Sequence, residues 1–432
     1  MKNKNGKRKV KHRTRPSNRT STNFTVNEPL QERSGSRPPW ILRALALSIV
    51  ILCAVTTGVM YSQMAQWEDE SAQAIYMNLI GRNYYPLAQT MEACGFLTDS
   101  SDANRYSKAL HSQAIDLTFD FNLETCKKNL YTFDLSGNWM MYEGNAFVSR
   151  SLLEDITNHI LFLQDDLTIH ARKVVFAPHD WATVFRPLIA HAGGALRTET
   201  ANHTYTNGLK ALVQNYDLGH RVFEFDLQST SDGGVAAVHT GIVEGDENGI
   251  FMTTKEWLGY RGMGNIGVMT IGDILDQMMI NADMFIVTDT KDTEPTIFER
   301  ILAEAETRDP ALMDRIVPQI YTREMYDRVM AVYDFPSIIF TTYANEETPR
   351  DVIDFSVKKD NIRVVTVSYY EGSYITDYVS LAKDTGLLLY LHTLNGYDDI
   401  TTFRNDGFHG LYTDYLLPRD FDIYASTIVS GG

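Results

Sequence analysis

The sequence predicts an α/β fold: residues 181–432 form a closed (β/α)8 barrel of the TIM type, preceded by a mostly helical region and an N-terminal transmembrane helix. Two patterns indicate the barrel: eight apolar segments recur between residues 186 and 418, and most intervals between them have a helix-like pattern. Apolar residues make up 44% of the 432 residues, which excludes wholesale disorder. Three cysteines exclude a disulfide scaffold and a multi-cysteine zinc module.

The charge of the chain changes sign at a predicted membrane span. Residues 1–43 contain 12 of the 39 Lys and Arg and only two Glu, a balance of +10, whereas the remainder carries 27 bases and 53 acids, a balance of −26. The 24 residues from Ala44 to Trp67 contain no charge, and about 20 apolar residues suffice for a helix to cross a bilayer. Because basic flanks stay in the cytoplasm, we expect a disordered cytoplasmic tail over 1–39, a signal anchor over 40–63 and an extracytoplasmic remainder. A cleaved signal peptide fits less well, since no A-x-A site follows.

The region 64–180 is predicted to be a mostly helical, membrane-proximal module. Leu152, Leu153, Ile156 and Ile160 recur at helical spacing, with a strand-like interval around Phe133–Tyr142. Cys94 and Cys126 either form a disulfide in an oxidising compartment or remain two buried thiols. The sequence indicates no function for this region.

The eight strand-like segments predict a parallel sheet. Buried parallel strands read as continuous apolar runs, and their alternation with helices is typical of βα units. Eight such units in about 230 residues match a closed barrel, whereas an open doubly wound sheet would have fewer strands and a glycine-rich phosphate turn. The segments are RPLIAHAGG (186–194), RVFEFDLQST (221–230), MFIVTDTKD (284–292), RIVPQIY (315–321), PSIIFTTY (336–343), IRVVTVSY (362–369), GLLLYLHTLN (386–395) and HGLYTDYLL (409–417).

Polar side chains follow several of these strands, where a barrel of this type carries its active site. Glu224 and Asp226 are two residues apart and point to one face of their strand, and the same holds for Asp289 and Lys291. Carboxylates held together require a cation, and an all-oxygen set suits Mg²⁺ or Ca²⁺ better than Zn²⁺. The other strand-end groups are His191, Gln319, Asn395 and Asp414.

In their order and spacing, several short motifs resemble the glycerophosphodiester phosphodiesterase family over about residues 186–418. The motifs are Ile189-Ala190-His191-Ala192-Gly193-Gly194, Tyr205-Thr206-Asn207-Gly208-Leu209, Phe223-Glu224-Phe225-Asp226, the stretch from Thr230 to His239, Thr288-Asp289-Thr290-Lys291, Leu391-His392-Thr393-Leu394-Asn395 and Gly410-Leu411-Tyr412-Thr413-Asp414.

The resemblance implies hydrolysis or transesterification of a phosphodiester. It assigns general acid and base roles to His191 and His239 and phosphate contacts to Lys291 and Asn207. It also implies that Glu224, Asp226 and Asp289 bind a divalent cation.

Three positions depart from the family pattern. Ala192 stands where the family has an arginine, Thr206 where it has a glutamate, and Thr240 where it has an aspartate. The remaining set is partly similar to that of sphingomyelinase D-like relatives. We therefore expect a membrane-anchored phosphodiesterase that acts on glycerophosphodiesters, lipid head groups or an envelope polymer, with no nucleic-acid partner. A catalytically inactive barrel that serves as a surface binding or scaffold module is the alternative.

Overall fold

The computed structural model describes residues 84–419, apart from 112, 143, 165–167, 178–179, 183–187, 240–251, 262–265, 291–295, 345, 369–373, 397–399 and 401–405. All described residues belong to one compact unit, Glu70–Gly432. The predicted basic tail and the predicted span over 40–63 lie outside the described residues. Within the described ranges, no helix has the length and apolarity needed to cross a membrane.

The first part of the described chain is an antiparallel β module. Five strands form one sheet, β2 (Leu97–Asp99), β3 (Asp102–Ala109), β4 (Ala114–Asp120), β5 (Thr125–Lys128) and β6 (Tyr131–Asp134), in sequential order. A second sheet pairs β1 (Tyr84–Pro86) with β8 (Asn145–Ser149), which pairs with β7 (Trp139–Tyr142). A hairpin of β9 (His159–Leu163) and β10 (Ile169–Lys173) and two helices, α1 (Leu87–Ala93) and α2 (Arg150–Thr157), complete it.

The prediction of a mostly helical region over 64–180 is therefore wrong for its described part. Only α1 and α2 are helical there, and Asn158 ends α2 in a left-handed conformation with φ of 55°. Beyond it, Ile160 is exposed and Leu161 is buried, the alternation of a strand. The helical spacing of apolar residues seen in the sequence thus ran across a helix end into a strand. Cys94 and Cys126 are separate, unbonded and buried.

The module packs on the barrel through its strand β6. Tyr131 is fully buried in the main core of the barrel, its ring lies 4.7 Å from that of Tyr216, and its hydroxyl donates to Gln277 at 2.9 Å. The backbone N–H of Thr132 donates to Asp217 at 3.1 Å. The module therefore covers the C-terminal end of the helix that contains Tyr216 and Asp217, at the end of the barrel opposite the strand carboxyl ends.

The prediction of an eight-stranded parallel barrel is confirmed. Parallel pairing runs from β11 through β14, β16, β17, β18, β19, β20 and β21 and returns to β11. Each of the eight apolar segments contains one of these strands. Their bounds are β11 (Leu188–Ala190), β14 (Val222–Ser229), β16 (Phe285–Thr290), β17 (Ile316–Ile320), β18 (Ile338–Thr341), β19 (Ile362–Ser368), β20 (Leu388–His392) and β21 (Gly410–Thr413).

Helices and short hairpins surround the barrel. The hairpin of β12 (Leu196–Arg197) and β13 (Asn202–His203) follows β11, and β15 (Val235–Ala237) pairs antiparallel with β14. Reciprocal capping boxes begin α4 and α5, where Thr253 and Thr270 each exchange hydrogen bonds with an acid three residues on. The helices are α3 (Leu209–Asp217), α4 (Thr254–Gly259), α5 (Ile271–Ile280), α6 (Thr296–Glu306), α7 (Arg323–Val332), α8 (Pro349–Ser356) and α9 (Tyr374–Ala382).

The buried histidine His220 gives the fold a pH dependence that can be tested. Its Nε2 lies 3.0 Å from the carbonyl oxygen of Leu416, and burial lowers the pKa of the imidazole to about 3. Below about pH 6.5 the imidazole of the unfolded chain is protonated, whereas the buried imidazole of the folded chain stays neutral. The free energy of unfolding therefore falls by about 1.4 kcal/mol for each pH unit of acidification. We predict that His220→Gln reduces the loss of unfolding free energy between pH 6 and 4.5 by about 2 kcal/mol.

Urea unfolding of the full-length chain, followed by tryptophan fluorescence, measures this loss. His203→Gln is the matched control, because His203 is exposed on β13. An unchanged pH slope in His220→Gln would contradict a neutral buried imidazole.

Candidate active site

Polar side chains close the barrel interior at the carboxyl ends of the strands. Inward-facing residues come at every second position of a strand, so that Asp289 follows the buried Val287 on β16 and His392 follows the buried Tyr390 on β20. The interior below is mainly apolar, but it also contains Gln319, whose Oε1 accepts from the hydroxyl of Tyr412 at 2.6 Å and from that of Thr341 at 3.2 Å. The inward positions at this end belong to His191, Glu224, Asp226, Asp289, Tyr321, Tyr343, His392 and Asp414.

Glu224, Asp226 and Asp289 form a cluster of buried carboxylates. One oxygen of each lies within 4.8 Å of the others, and Asp226 and Asp289 are opposite one another in the pairing of β14 with β16. Burial and the charge of Asp226 raise the pKa of Glu224. Glu224 Oε1 is buried without a hydrogen-bond partner. A cation bound at the cluster would give this oxygen the partner that it lacks. The three residues therefore fit a divalent cation, with the all-oxygen donors that Mg²⁺ or Ca²⁺ prefers.

Two tyrosines orient Asp289. The hydroxyl of Tyr321 donates to Oδ1 of Asp289, that of Tyr343 donates to Oδ2 at 3.0 Å, and the two hydroxyl oxygens lie 3.0 Å apart. Burial and the charge of Asp289 raise the pKa of both phenols. Both hydroxyl groups consequently remain protonated donors that hold the carboxylate toward the cluster.

Asn207 orients Asp226. Its Nδ2 donates to Oδ2 of Asp226 at 2.9 Å, and its Oδ1 accepts from the backbone N–H of Asp226 at 3.0 Å. The side chain is buried, and the backbone N–H of Asn207 donates to the carbonyl oxygen of Ala192 at 3.1 Å. The resemblance implies a phosphate contact for Asn207, but these contacts assign it the positioning of a candidate metal ligand.

His191 is held between two carboxylates. Its Nδ1 lies 3.0 Å from Oδ1 of Asp414, and its Nε2 lies 4.0 Å from Glu224. Oδ2 of Asp414 accepts from Nδ2 of Asn395 at 2.8 Å. Burial opposes the charge of the imidazolium, but the hydrogen bond to Asp414 and the charge of Glu224 outweigh it and raise the pKa of His191 to about 9.

The turn after β11 presents His191 to the cluster. Ala192 lies in the left-handed region with φ of 49°, and its N–H donates to Glu224 at 2.7 Å. Gly194 has φ of 78°, and a Cβ there would lie 2.6 Å from Nδ2 of Asn215. Asn215, on α3, donates to the carbonyls of Gly193 and Ala195. The turn is therefore fixed from below by α3 and from inside by Glu224.

The second predicted histidine, His239, lies across a tyrosine from the first. The ring of Tyr205 is 4.7 Å from that of His191 and 5.7 Å from that of His239. The structure thus brings together both histidines, the three carboxylates and Asn207. The predicted phosphate ligand Lys291 lies outside the described residues.

Five residues of this site have no role in the prediction from the sequence: Tyr205, Tyr321, Tyr343, His392 and Asp414. A signal for four of them was present, because Tyr321, Tyr343, His392 and Asp414 each stand two residues beyond an inward-facing residue of a strand. Tyr205 carries no such signal, since it lies in the loop before α3.

No protein-family model and no curated protein matches the chain. Several solved structures of phosphodiesterases match part of the chain. A glycerophosphodiester phosphodiesterase from Parabacteroides distasonis is 15% identical, with a TM-score of 0.45, over 56% of this chain and 98% of that one. The enzyme of Thermotoga maritima is 17% identical, with a TM-score of 0.40, over 56% and 98%. An Oleispira antarctica phosphodiesterase, in complex with the product sn-glycerol-3-phosphate, is 14% identical, with a TM-score of 0.44, over 57% and 99%.

The first two neighbours are named for the family that the sequence motifs resemble. They align with slightly more than half of this chain and nearly the whole of their own chains. The partial similarity to sphingomyelinase D-like relatives stays a prediction.

The contact between Asp414 and His191 predicts the effect of one substitution. In metal-free protein, Asp414→Asn removes one of the anions that favour the imidazolium, together with its hydrogen bond, whereas burial still opposes the charge. We predict that the pKa of His191 falls from about 9 by at least one unit. Titration of the histidine ring resonances by NMR measures it. Glu299→Gln, an exposed change on α6, should leave the value unchanged, and an unchanged value in Asp414→Asn would refute the assigned contact.

The carboxylate cluster predicts a site for a divalent cation. Asp289→Asn removes one of three anionic ligands, and we expect Mg²⁺ or Ca²⁺ binding to weaken at least tenfold, an energy of about 1.4 kcal/mol. Calorimetric titration of the full-length chain with each cation measures the affinity. Glu299→Gln serves as control for the loss of a surface charge. Equal affinity in Asp289→Asn and wild type would remove Asp289 from the ligand set.

Proposed function

We propose that the chain is a metal-dependent phosphodiesterase that cleaves glycerophosphodiesters or related head-group or envelope phosphodiesters. The observation that carries the proposal is the arrangement at the strand carboxyl ends: a histidine held by Asp414 lies beside three buried carboxylates, and a second histidine lies across Tyr205. A purely structural barrel has no need for three mutually repelling buried acids at this end. The scaffold alternative is therefore disfavoured.

The two histidines supply proton transfer. One imidazole in its neutral form takes a proton from the attacking water or hydroxyl group, while the other, protonated, gives a proton to the leaving alkoxide. Asp414 holds Nδ1 of His191, which directs Nε2 as the atom available for transfer. A neighbouring hydroxyl group of a glycerol ester can act as the attacking group, in which case the product is a cyclic phosphate.

Glu224, Asp226 and Asp289 would hold the divalent cation, which when bound withdraws charge from a phosphoryl oxygen. Asn207, Tyr321 and Tyr343 keep two of these carboxylates in position. The cation is Mg²⁺ or Ca²⁺ in this proposal, on the preference of an all-oxygen site. Lys291 would contact the phosphate as a point charge.

We propose that the enzyme is a single-pass protein of the cell membrane, with residues 1–39 in the cytoplasm and the barrel outside. The support comes from the sequence: a balance of +10 over residues 1–43 precedes the uncharged stretch Ala44 to Trp67. The balance of −26 beyond residue 43 repels polyanions, which favours small or zwitterionic esters over a polyanionic substrate.

Turnover of a substrate panel tests the function. The full-length chain is assayed by ³¹P NMR on glycerophosphodiesters, choline lipids and a glycerol-phosphate polymer, with Mg²⁺, with Ca²⁺ and with chelator. We predict cation-dependent turnover that His191→Ala and His239→Ala each reduce by about 10²–10⁴. The same spectra separate a cyclic phosphate from a hydrolysed ester.

His170→Ala, in the β module, is the matched histidine control and should retain wild-type turnover. A loss of less than tenfold in both active-site variants would overturn the assigned roles. A folded protein that binds no divalent cation and cleaves no ester would favour the scaffold alternative.

A further inference from the structure

A third histidine lies in the site without a role in the mechanism above. His392 is the last residue of β20, where it faces inward two residues beyond Tyr390. Its ring centroid lies 4.9 Å from that of His191, 5.3 Å from that of Tyr343 and 4.8 Å from that of Tyr412. The side chain is half-buried, so it belongs to the wall of the site and not to the sealed interior.

A phosphate in this site needs hydrogen-bond donors, because carboxylates surround it. Glu224, Asp226, Asp289 and Asp414 all lie at this end of the barrel. The two tyrosine hydroxyls donate to Asp289, and Ala192 offers only a methyl group where the resembling family has an arginine. An imidazole at position 392 supplies a donor that the departure at Ala192 removes.

The position of His392 argues against a role as the second proton-transfer group. Its ring meets that of His191 edge to face, with an interplanar angle of 89° and centroids 4.9 Å apart. The two imidazoles are therefore in contact, and no phosphate fits between them. In-line displacement places the attacking and leaving oxygens on opposite sides of phosphorus. Two histidines on one side cannot serve both, which leaves the equatorial phosphoryl oxygens for His392.

The hydroxyl group of the neighbouring threonine contacts the ring of His392. Oγ1 of Thr393 lies 3.0 Å from Nδ1 of His392. When this hydroxyl donates to Nδ1, the neutral imidazole carries its proton on Nε2. The far edge of the ring is then the donor.

We propose that His392 is a phosphate-binding residue, whose Nε2–H donates to a non-bridging oxygen of the bound phosphodiester. The proposal rests on the proposed phosphodiesterase function and adds to it a residue that the motif resemblance does not assign. It predicts an effect on phosphate affinity, not on proton transfer.

The test compares two variants of the full-length chain with Mg²⁺ present. His392→Phe keeps a ring against His191, Tyr343 and Tyr412 but removes the donor, whereas His392→Gln keeps an N–H donor. Inorganic phosphate is the probe, and its binding is followed by ³¹P line broadening and by competitive inhibition of turnover. His170→Gln is the control, because His170 stacks on Phe162 in the β module.

We expect His392→Phe to raise the dissociation constant of phosphate and the KM about tenfold, the effect of one lost hydrogen bond. His392→Gln should restore most of the affinity, and both variants should bind Mg²⁺ as wild type does. A fall in kcat of about 10²–10⁴ with unchanged phosphate binding would assign proton transfer and overturn the proposal.

Unchanged phosphate binding, KM and kcat in His392→Phe would show a packing role and also overturn it, while leaving the phosphodiesterase function standing. If wild type cleaves no ester and binds no phosphate, both proposals fail together. The two failures are therefore distinguishable.

Discussion

Mutual repulsion among Glu224, Asp226 and Asp289 is the constraint around which this end of the barrel is built. One oxygen of each buried carboxylate lies within 4.8 Å of the other two, and burial together with the charge of Asp226 raises the pKa of Glu224. Each acid has its own donor: the N–H of Ala192 for Glu224, the amide of Asn207 for Asp226, and two phenols for Asp289. These donors fix the acids in place, but they add no positive charge, which is the part that a cation supplies.

The same constraint explains the shape of the turn after β11. Glu224 accepts from the backbone N–H of Ala192, which adopts a left-handed conformation, and the preceding residue His191 contacts Asp414 through Nδ1. Asn215 holds the turn from α3, and the next residue of α3, Tyr216, packs against Tyr131 of the β module. The helix α3 therefore contacts both the turn after β11 and the β module, so the module supports the helix that holds this turn.

The sequence predicts the barrel well because its signal is redundant. Every barrel strand lies in a mainly apolar segment, and the acids within or near the end of these segments, such as Glu224 and Asp289, are visible without structure. The sequence does not reveal the roles of Tyr321 and Tyr343, because a tyrosine at the end of an apolar segment has the pattern of one more core residue. The β module is misread for a different reason: its strands are short, and α2 is followed directly by β9, so apolar spacing alone does not separate a helix from a strand.

The resulting site has an electrostatic asymmetry that links its parts. Four carboxylates face three histidines, so without a cation the described part of the site repels a phosphate dianion or diester. A bound cation would reverse that repulsion, and by thermodynamic reciprocity a bound phosphate would then strengthen cation binding by the same factor. In the proposal above, His392 would act within this linkage, because it would add affinity for the phosphate without adding a ligand to the cation. Under the proposed function, an imidazole and the cation would recognise the phosphate, since Ala192 carries no guanidinium.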